Sequence, residues 1–196
     1  MKTVTTAKDA STTSWNFPGG AFIWLISIHE TLLFYMAIAT FKYQESQQIL
    51  LFRQEKASLD ISWGVIYTLI LLTSSWCVAE VHLKYKNNKK NQASVYHFMA
   101  LALGLLFLIF KLFDFTQKLK QGKVFGDDYF WTLYWVINGF HFLHIFIGFG
   151  LLAYLFFKLK AEFNIENLEL FESVGIFWHT CDILWILIFS TFYMGG

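Results

Sequence analysis

The sequence predicts an all-α integral membrane protein: five transmembrane helices in an antiparallel bundle, with the amino terminus inside and the carboxyl terminus outside. Three observations lead there. Five apolar stretches of 21 residues or more run through the 196-residue chain, at 20–41, 61–83, 95–115, 130–157 and 170–194. A helix needs roughly 20 apolar residues to cross a hydrocarbon core. The chain is 56% hydrophobic and only 15% charged, against about 45–50% and about 25% in soluble domains. Its 23 Phe and 8 Trp exceed what a water-soluble core of this length could hide. The roughly ten-residue alternating strands of a membrane barrel are absent.

Taken in order, residues 1–19 form a cytoplasmic segment, and residues 20–196 form one five-helix unit. The segment holds Lys2 and Lys8 but lacks the apolar core and cleavage site of a secretory signal, so the first span is expected to be retained. Pro18 stands just ahead of that span, where a missing backbone N–H does little harm. The first span carries His29 and Glu30 near its middle. The second has Thr73, Cys77 and Glu80 on one face, and Glu80 and His82 are expected to snorkel toward the basic run Lys84–Lys90. The third ends with Lys111 and Asp114 one turn apart, a pair expected to reach the outer interface. The fourth, 28 residues long, must tilt or continue past the bilayer surface.

The last two spans hold the densest polar patterning. At 100° per residue, Tyr134, Asn138, His141, His144 and Gly148 share one stripe, and Glu172, Gly175, His179, Asp182 and Ser190 share another. The connections, at 42–60, 84–94, 116–129 and 158–169, are too short for a soluble catalytic head. No repeat relates the halves, so the inverted-repeat signature of many transporters is missing.

Loop charges set the orientation. Eight lysines fall on the amino-terminal side and six basic residues on the other, with Lys84–Lys90 the best anchor. A net charge of +1 argues against nucleic-acid binding, which needs a basic patch. Cys77 and Cys181 lie inside spans and read as small apolar residues. Trp15, Trp24, Trp63, Tyr67, Tyr129, Trp131, Tyr134 and Tyr193 fit an interfacial belt. Gly139, Gly148, Gly150 and Gly175 would let helices approach closely.

Ionisable groups inside spans are functional candidates by default. His141, His144 and His179 could in principle offer three nitrogens to a metal. Haem ligation needs one or two axial ligands in a clear pocket, and a di-iron bundle needs Glu-x-x-His on two helices; neither pattern is present. The favoured reading is interhelical clamps, with Asp182 near His179 and the histidines of the fourth span facing the fifth. Such bonds contribute about 0.6–2 kcal/mol in membranes. No catalytic, cofactor-binding or metal-ligating residue is expected. Glu30 is either proton-linked or lipid-sensing, or shares a hydrogen bond across a helix interface. The second reading is favoured.

Specific runs then become recognisable. Asn138-Gly139-Phe140-His141-Phe142-Leu143-His144-Ile145, with Gly148, resembles the Thr-Gly-Phe-His-x-Leu-His-Val…Gly stretch of subunit III of haem–copper oxidases. Residues 171–185 resemble that family's Phe-Glu…Trp-His-x-x-Asp-x-x-Trp helix without a gap, with Glu172, Trp178, His179, Asp182 and Trp185 in place. Trp24 and Glu30-Thr31-Leu32-Leu33-Phe34 are similar to the family's Ser-Glu-x-x-Phe-Phe segment. Leu71-Leu72-Thr73-Ser74-Ser75 and Leu103-Gly104-Leu105-Leu106-Phe107 are weaker matches. Asn138 stands where Thr is usual, and His29 where Ser or Ala is usual. The two additional amino-terminal helices of seven-helix members, which form a lipid-holding cleft with the rest, have no counterpart, so the match is to the five-helix bacterial form. The entry at Pro18-Gly19 and the Phe189…Tyr193 ending resemble an accessory branch associated with nitric oxide reductases.

The resemblance implies a subunit without a redox centre in a bacterial plasma-membrane respiratory complex. Haem and copper would reside in the catalytic subunit I that it packs against. Glu30, Asn138, His141, His144, Glu172, Trp178, His179, Asp182 and Trp185 would be packing or lipid-contact residues, with a possible influence on proton uptake. The alternatives are an accessory subunit for nitric oxide reduction and, in another class, a free-standing proton-linked carrier or channel.

Overall fold

The computed structural model describes residues 17–161 and 165–194, and no strand occurs among them. Lys2, Lys8, Trp15 and the final Gly195 and Gly196 lie outside the described residues, as does most of the segment expected at 1–19. Six helices follow one another: α1 (Ala21–Gln47), α2 (Ile49–Ala57), α3 (Ile61–Lys86), α4 (Lys90–Lys120), α5 (Tyr129–Ala161) and α6 (Ile165–Tyr193). All but α2 are long and apolar enough to cross a membrane, and they are the five expected spans.

The helices run past their apolar stretches, because lysine and glutamine are good helix formers and the backbone ladder continues until a turn breaks it. The α4–α5 turn has Gly122 at φ 79° and Gly126 at φ 89°, a left-handed conformation that costs glycine nothing. The starts are capped where acids stand ready. Asp60 accepts from Ser62 N at 2.8 Å ahead of α3, and Asp128 accepts from Trp131 N at 2.7 Å ahead of α5, each satisfying a backbone donor left free at a helix start.

Helix α2 was expected to be plain connection. It forms because Phe52 and Lys56, one turn apart, both find buried places. Phe52 meets Phe41 of α1 at 5.0 Å and Phe130 of α5 at 5.5 Å, and Phe41 meets Phe192 of α6 at 4.5 Å. Lys56 donates to Glu45 at the end of α1. Burial pushes its ammonium below the ordinary lysine value, opposed by the Glu45 carboxylate. Beneath α2 the ends of α1, α5 and α6 are therefore packed together by aromatic rings.

Helix α6 lies against α1, α3 and α5, while α4 spans the gap between α3 and α5. Helix α1 touches the bundle through a narrow seam, with Ser27, Phe34 and Phe41 buried at seven-residue spacing. Its other faces expose Phe22, Leu25, Ile28, Leu32, Tyr35 and Met36.

Close approach occurs at glycines, though not at all of those expected. A Cβ on Gly148 would sit 3.0 Å from the Trp178 ring and one on Gly104 3.1 Å from it, so the indole is clasped between α4 and α5. A Cβ on Gly64 would sit 2.6 Å from Phe189. Gly175 meets only ordinary contact with Val78, and a Cβ on Gly139 or Gly150 would meet open space. The latter two lie on the partly exposed side of α5, so their small size serves no helix contact.

Candidate functional site

The interior polar groups fall into three constellations. The first lies toward the α2 end and overturns an expectation. Lys111 does not reach the interface: its side chain is fully buried. The ammonium stands 5.0 Å from the Trp185 ring, 5.2 Å from both Tyr67 and Phe115, and 5.8 Å from Tyr134. A cation over aromatic faces is stabilised by the ring quadrupoles, by about 2 kcal/mol or more when desolvated. Asp114 supplies the countercharge at 3.6 Å, while its other oxygen takes Lys118. Tyr134 donates its hydroxyl to Asp114 at 3.2 Å. Tyr67, Trp131 and Tyr134, expected in an interfacial belt, are buried. They face inward because Asp114 accepts from Tyr134, the Phe110 carbonyl accepts from Tyr67 at 3.4 Å, and Glu55 accepts from Trp131 Nε1 at 3.0 Å. Trp24, Trp63 and Tyr129 do keep exposed faces. A surface cavity of about 320 Å³ adjoins the cluster, with Tyr67, Asp114, Lys118 and Tyr193 on its wall.

The second constellation follows α5. Tyr134, Asn138, His141 and His144 all face inward, as their stripe predicts. His144 bonds across the bundle: its Nε2 is 3.0 Å from Glu30 Oε2, and its Nδ1 is 2.7 Å from the Phe140 carbonyl. Glu30 thus makes the interhelical bond favoured for it, while the neighbouring His29 is largely exposed. His141 lies stacked on Trp185 at 5.4 Å, with Phe34 and Phe107 edge-on. Neither of its ring nitrogens has a hydrogen-bond partner among the described residues. The same holds for Asn138 Oδ1 and Lys111 Nζ. A buried polar atom left unpaired costs about 1–3 kcal/mol, so four together weigh against a whole-fold stability of about 5–15 kcal/mol.

The third constellation joins α3 and α6. His179 Nδ1 lies 2.5 Å from Ser75 Oγ and 3.9 Å from Asp182. Glu172 stands 3.7 Å from His82, so His82 is held against α6 rather than snorkelling; Glu80 alone pairs outward, with Lys84 at 3.0 Å. Of the run 73–75 on α3, the inward hydroxyls are Ser74, bonded to the Ala100 carbonyl at 3.0 Å, and Ser75. Thr73, grouped by helical period with Cys77 and Glu80, is exposed and bonds within its own helix. Ser190 is exposed as well. Trp185 Nε1 donates to Thr68 at 2.9 Å, while Trp178 Nε1 has no partner among the described residues.

Helices α5 and α6 do meet, as their stripes suggest, but through rings. Trp185 takes His141, Phe177 takes His144, and Trp178 takes Gly148. The acids go elsewhere: Asp182 is buried beside His179 and Glu30 takes His144. Among the described residues no three His, Cys, Asp or Glu side chains converge as a metal site would require. One histidine was not singled out in advance. His97 is buried and its Nε2 lies 2.9 Å from the Leu152 carbonyl, tying α4 to α5; its place inside an apolar stretch was the available signal.

Comparison with known proteins follows this geometry. Residues 58–196 match the family model described as cytochrome c oxidase subunit III. The chain is 26% identical over 133 residues to the probable quinol oxidase subunit 3 of Staphylococcus haemolyticus, covering 67% of this chain and 66% of that one. It is 29% identical over 146 residues to the cytochrome bo(3) ubiquinol oxidase subunit 3 of Buchnera aphidicola, covering 70% and 73%. It is 26% identical over 133 residues to the cytochrome c oxidase subunit 3 of Alkalihalophilus pseudofirmus, covering 67% and 65%. The matched part thus spans just under two thirds of the first and third relatives.

Proposed function

The chain belongs to the cytochrome c oxidase subunit III family, and from that premise we propose that it is the non-catalytic third subunit of a respiratory haem–copper oxidase. The observation that carries this reading is the family match through four of the five spans, from residue 58 to 196. It includes the Phe171–Glu172 and Trp178…Trp185 signature. The interior supports it: polar side chains of different helices are joined by ring stacking, by serine and threonine hydroxyls and by two carboxylate–histidine contacts.

In this reading the chain packs against the haem–copper subunit I and other subunits in a bacterial plasma membrane. The amino terminus is inside and α2 lies on the outer surface, in keeping with the lysine distribution. Residues 20–196 act as one unit, and the outward aromatic and aliphatic side chains of α1 and α4 meet lipid or neighbouring subunits. Haem and copper belong to subunit I. Glu30, Asn138, His141, His144, Glu172, Trp178, His179, Asp182 and Trp185 hold the helices in register for that docking.

The experiment is to tag the chain, isolate it in mild detergent, and record the haem spectrum, the electron donor and the gas reduced. The expected result is a copurifying haem–copper protein at fixed stoichiometry that reduces oxygen with quinol or cytochrome c. A haem-free homo-oligomer, or a complex that reduces only nitric oxide, would overturn the reading.

A further inference from the structure

We propose that the inward face of α5 carries a file of ordered water that puts the Glu30–His144 pair in aqueous contact with the α2 side of the membrane alone. Three observations converge on it. Four of the unpartnered buried atoms cluster, while the others belong to His82, Trp178 and Asp182 on the α3–α6 side. Asn138 Oδ1 and both nitrogens of His141 belong to one stripe of α5, and Lys111 Nζ stands beside its outer end at Tyr134. From Tyr134 to His144 the stripe rises about 15 Å, half the thickness of a hydrocarbon core. Ordered water is the usual partner of buried polar groups that protein atoms leave unsatisfied. A chain of such groups on successive turns makes each water a neighbour of the next.

The outer end is joined to solvent. Asp114 lines the surface cavity and also holds Tyr134 and Lys111, so a single carboxylate bridges the cavity to the first members of the file. The inner end stops at His144 and Glu30. Beyond them the same face of α5 is closed by packing: at Gly148 the rings of Trp178 and Phe177 leave room for less than a methyl group. One turn further, Leu152 gives its carbonyl to His97. Along α5 itself the unpartnered atoms lie on one side of His144 and the ring packing at Gly148 on the other, so a file on this face is one-sided.

The inference stands apart from the assignment to an oxidase, because its readouts are on this chain in whatever complex it is isolated with. The first is a high-resolution density map of that complex in lipid nanodiscs. Water within hydrogen-bonding distance of His141, Asn138 Oδ1 and Lys111 Nζ is the expected result, with no water between Gly148 and Trp178. A dry file, or water reaching His144 past Trp178, overturns the proposal. The second readout is thermal melting of His141→Phe. In a dry core this change removes two unpaired polar atoms and should raise the melting temperature. In a hydrated file it strands the neighbouring water and Asn138, and should lower it by about 2–4 °C. Asn138→Leu, which fills the file one turn nearer its mouth, should remove the water at His141 from the map. Retention of that water, or a higher melting temperature for His141→Phe, counts against the file.

Discussion

The two ends of the polar interior are built differently. Around Lys111 the bundle surrounds one charge with four rings, one each from α3, α4, α5 and α6, and a carboxylate shared with Lys118 and Tyr134. Around Glu30, α1 is joined to α5 by a single carboxylate–histidine contact, and to α6 by the Thr180–Ser27 hydroxyl bond at 3.1 Å. The first region is over-determined, so removing its centre should propagate through several helices. The second depends on few polar contacts beside the ring of Phe34, so changing one should loosen α1 and leave the rest of the bundle standing. In a membrane, where apolar side chains gain little by leaving lipid for protein, this difference decides which helix is most easily detached.

The sharpest way to break the contrast is Asp114→Ala. It leaves Lys111 buried without a countercharge, and removing one partner of a buried pair costs about 3–5 kcal/mol. The expected outcome is poor recovery of the complex and a large drop in melting temperature. Lys111→Met should restore most of the loss in the double variant, because an apolar side chain of similar length suits a ring of aromatics. A double variant as unstable as Asp114→Ala would show that the rings need the charge.

Next in size is the clasp on Trp178. Gly148→Val forces methyl groups onto a ring already 3.0 Å from the glycine's Cβ position, and overpacking costs about 1–3 kcal/mol. Gly139→Val, on the same helix where a Cβ meets open space, should leave the melting temperature of the complex unchanged. If the two variants melt alike, the close approach of α5 and α6 is not what holds these helices.

Much of the fold could be read from the sequence because five spans need only length and apolarity, which are local properties. The stripe on α5 was legible for the same reason: helical period alone places Tyr134, Asn138, His141 and His144 together. What failed was whatever depended on other helices. Lys111 sits near the end of an apolar stretch, where snorkelling is the usual outcome. Only the arrival of Tyr67, Tyr134 and Trp185 from α3, α5 and α6 turns it inward. Thr73, Ser74 and Ser75 differ by 100° per residue, and composition gives no reason to choose the later two for the interior. Glu30 and His144 were both candidates, yet 114 positions separate them, and no local pattern pairs them. Helix α2 was missed because nine residues with a lysine at the core position read as connection until Glu45 supplies the partner.

The smallest expected effect, and the one that most sharpens the contrast, is at Glu30. Glu30→Gln keeps the length of the side chain and an oxygen or an amide N–H to offer His144, so only the charge and its proton are lost. Interhelical polar contacts in membranes average about 0.6 kcal/mol and reach about 1.7 kcal/mol, so the melting temperature of the complex should fall little. Glu30→Ala removes the contact and leaves a void beside Phe34 and His144, and α1 should then come away in detergent more readily than the other helices. Aqueous contact with the α2 side would let Glu30 exchange its proton, but exchange is not transfer during turnover. Steady-state turnover measured against pH separates the two. If Glu30 is a joint between α1 and α5, Glu30→Gln should keep the parent's rate and pH profile, and Glu30→Ala should lose activity only in proportion to lost assembly. A Glu30→Gln complex that assembles fully yet turns over slowly would make Glu30 a proton-transfer group, and the weakly built region would then owe its polarity to function rather than to packing.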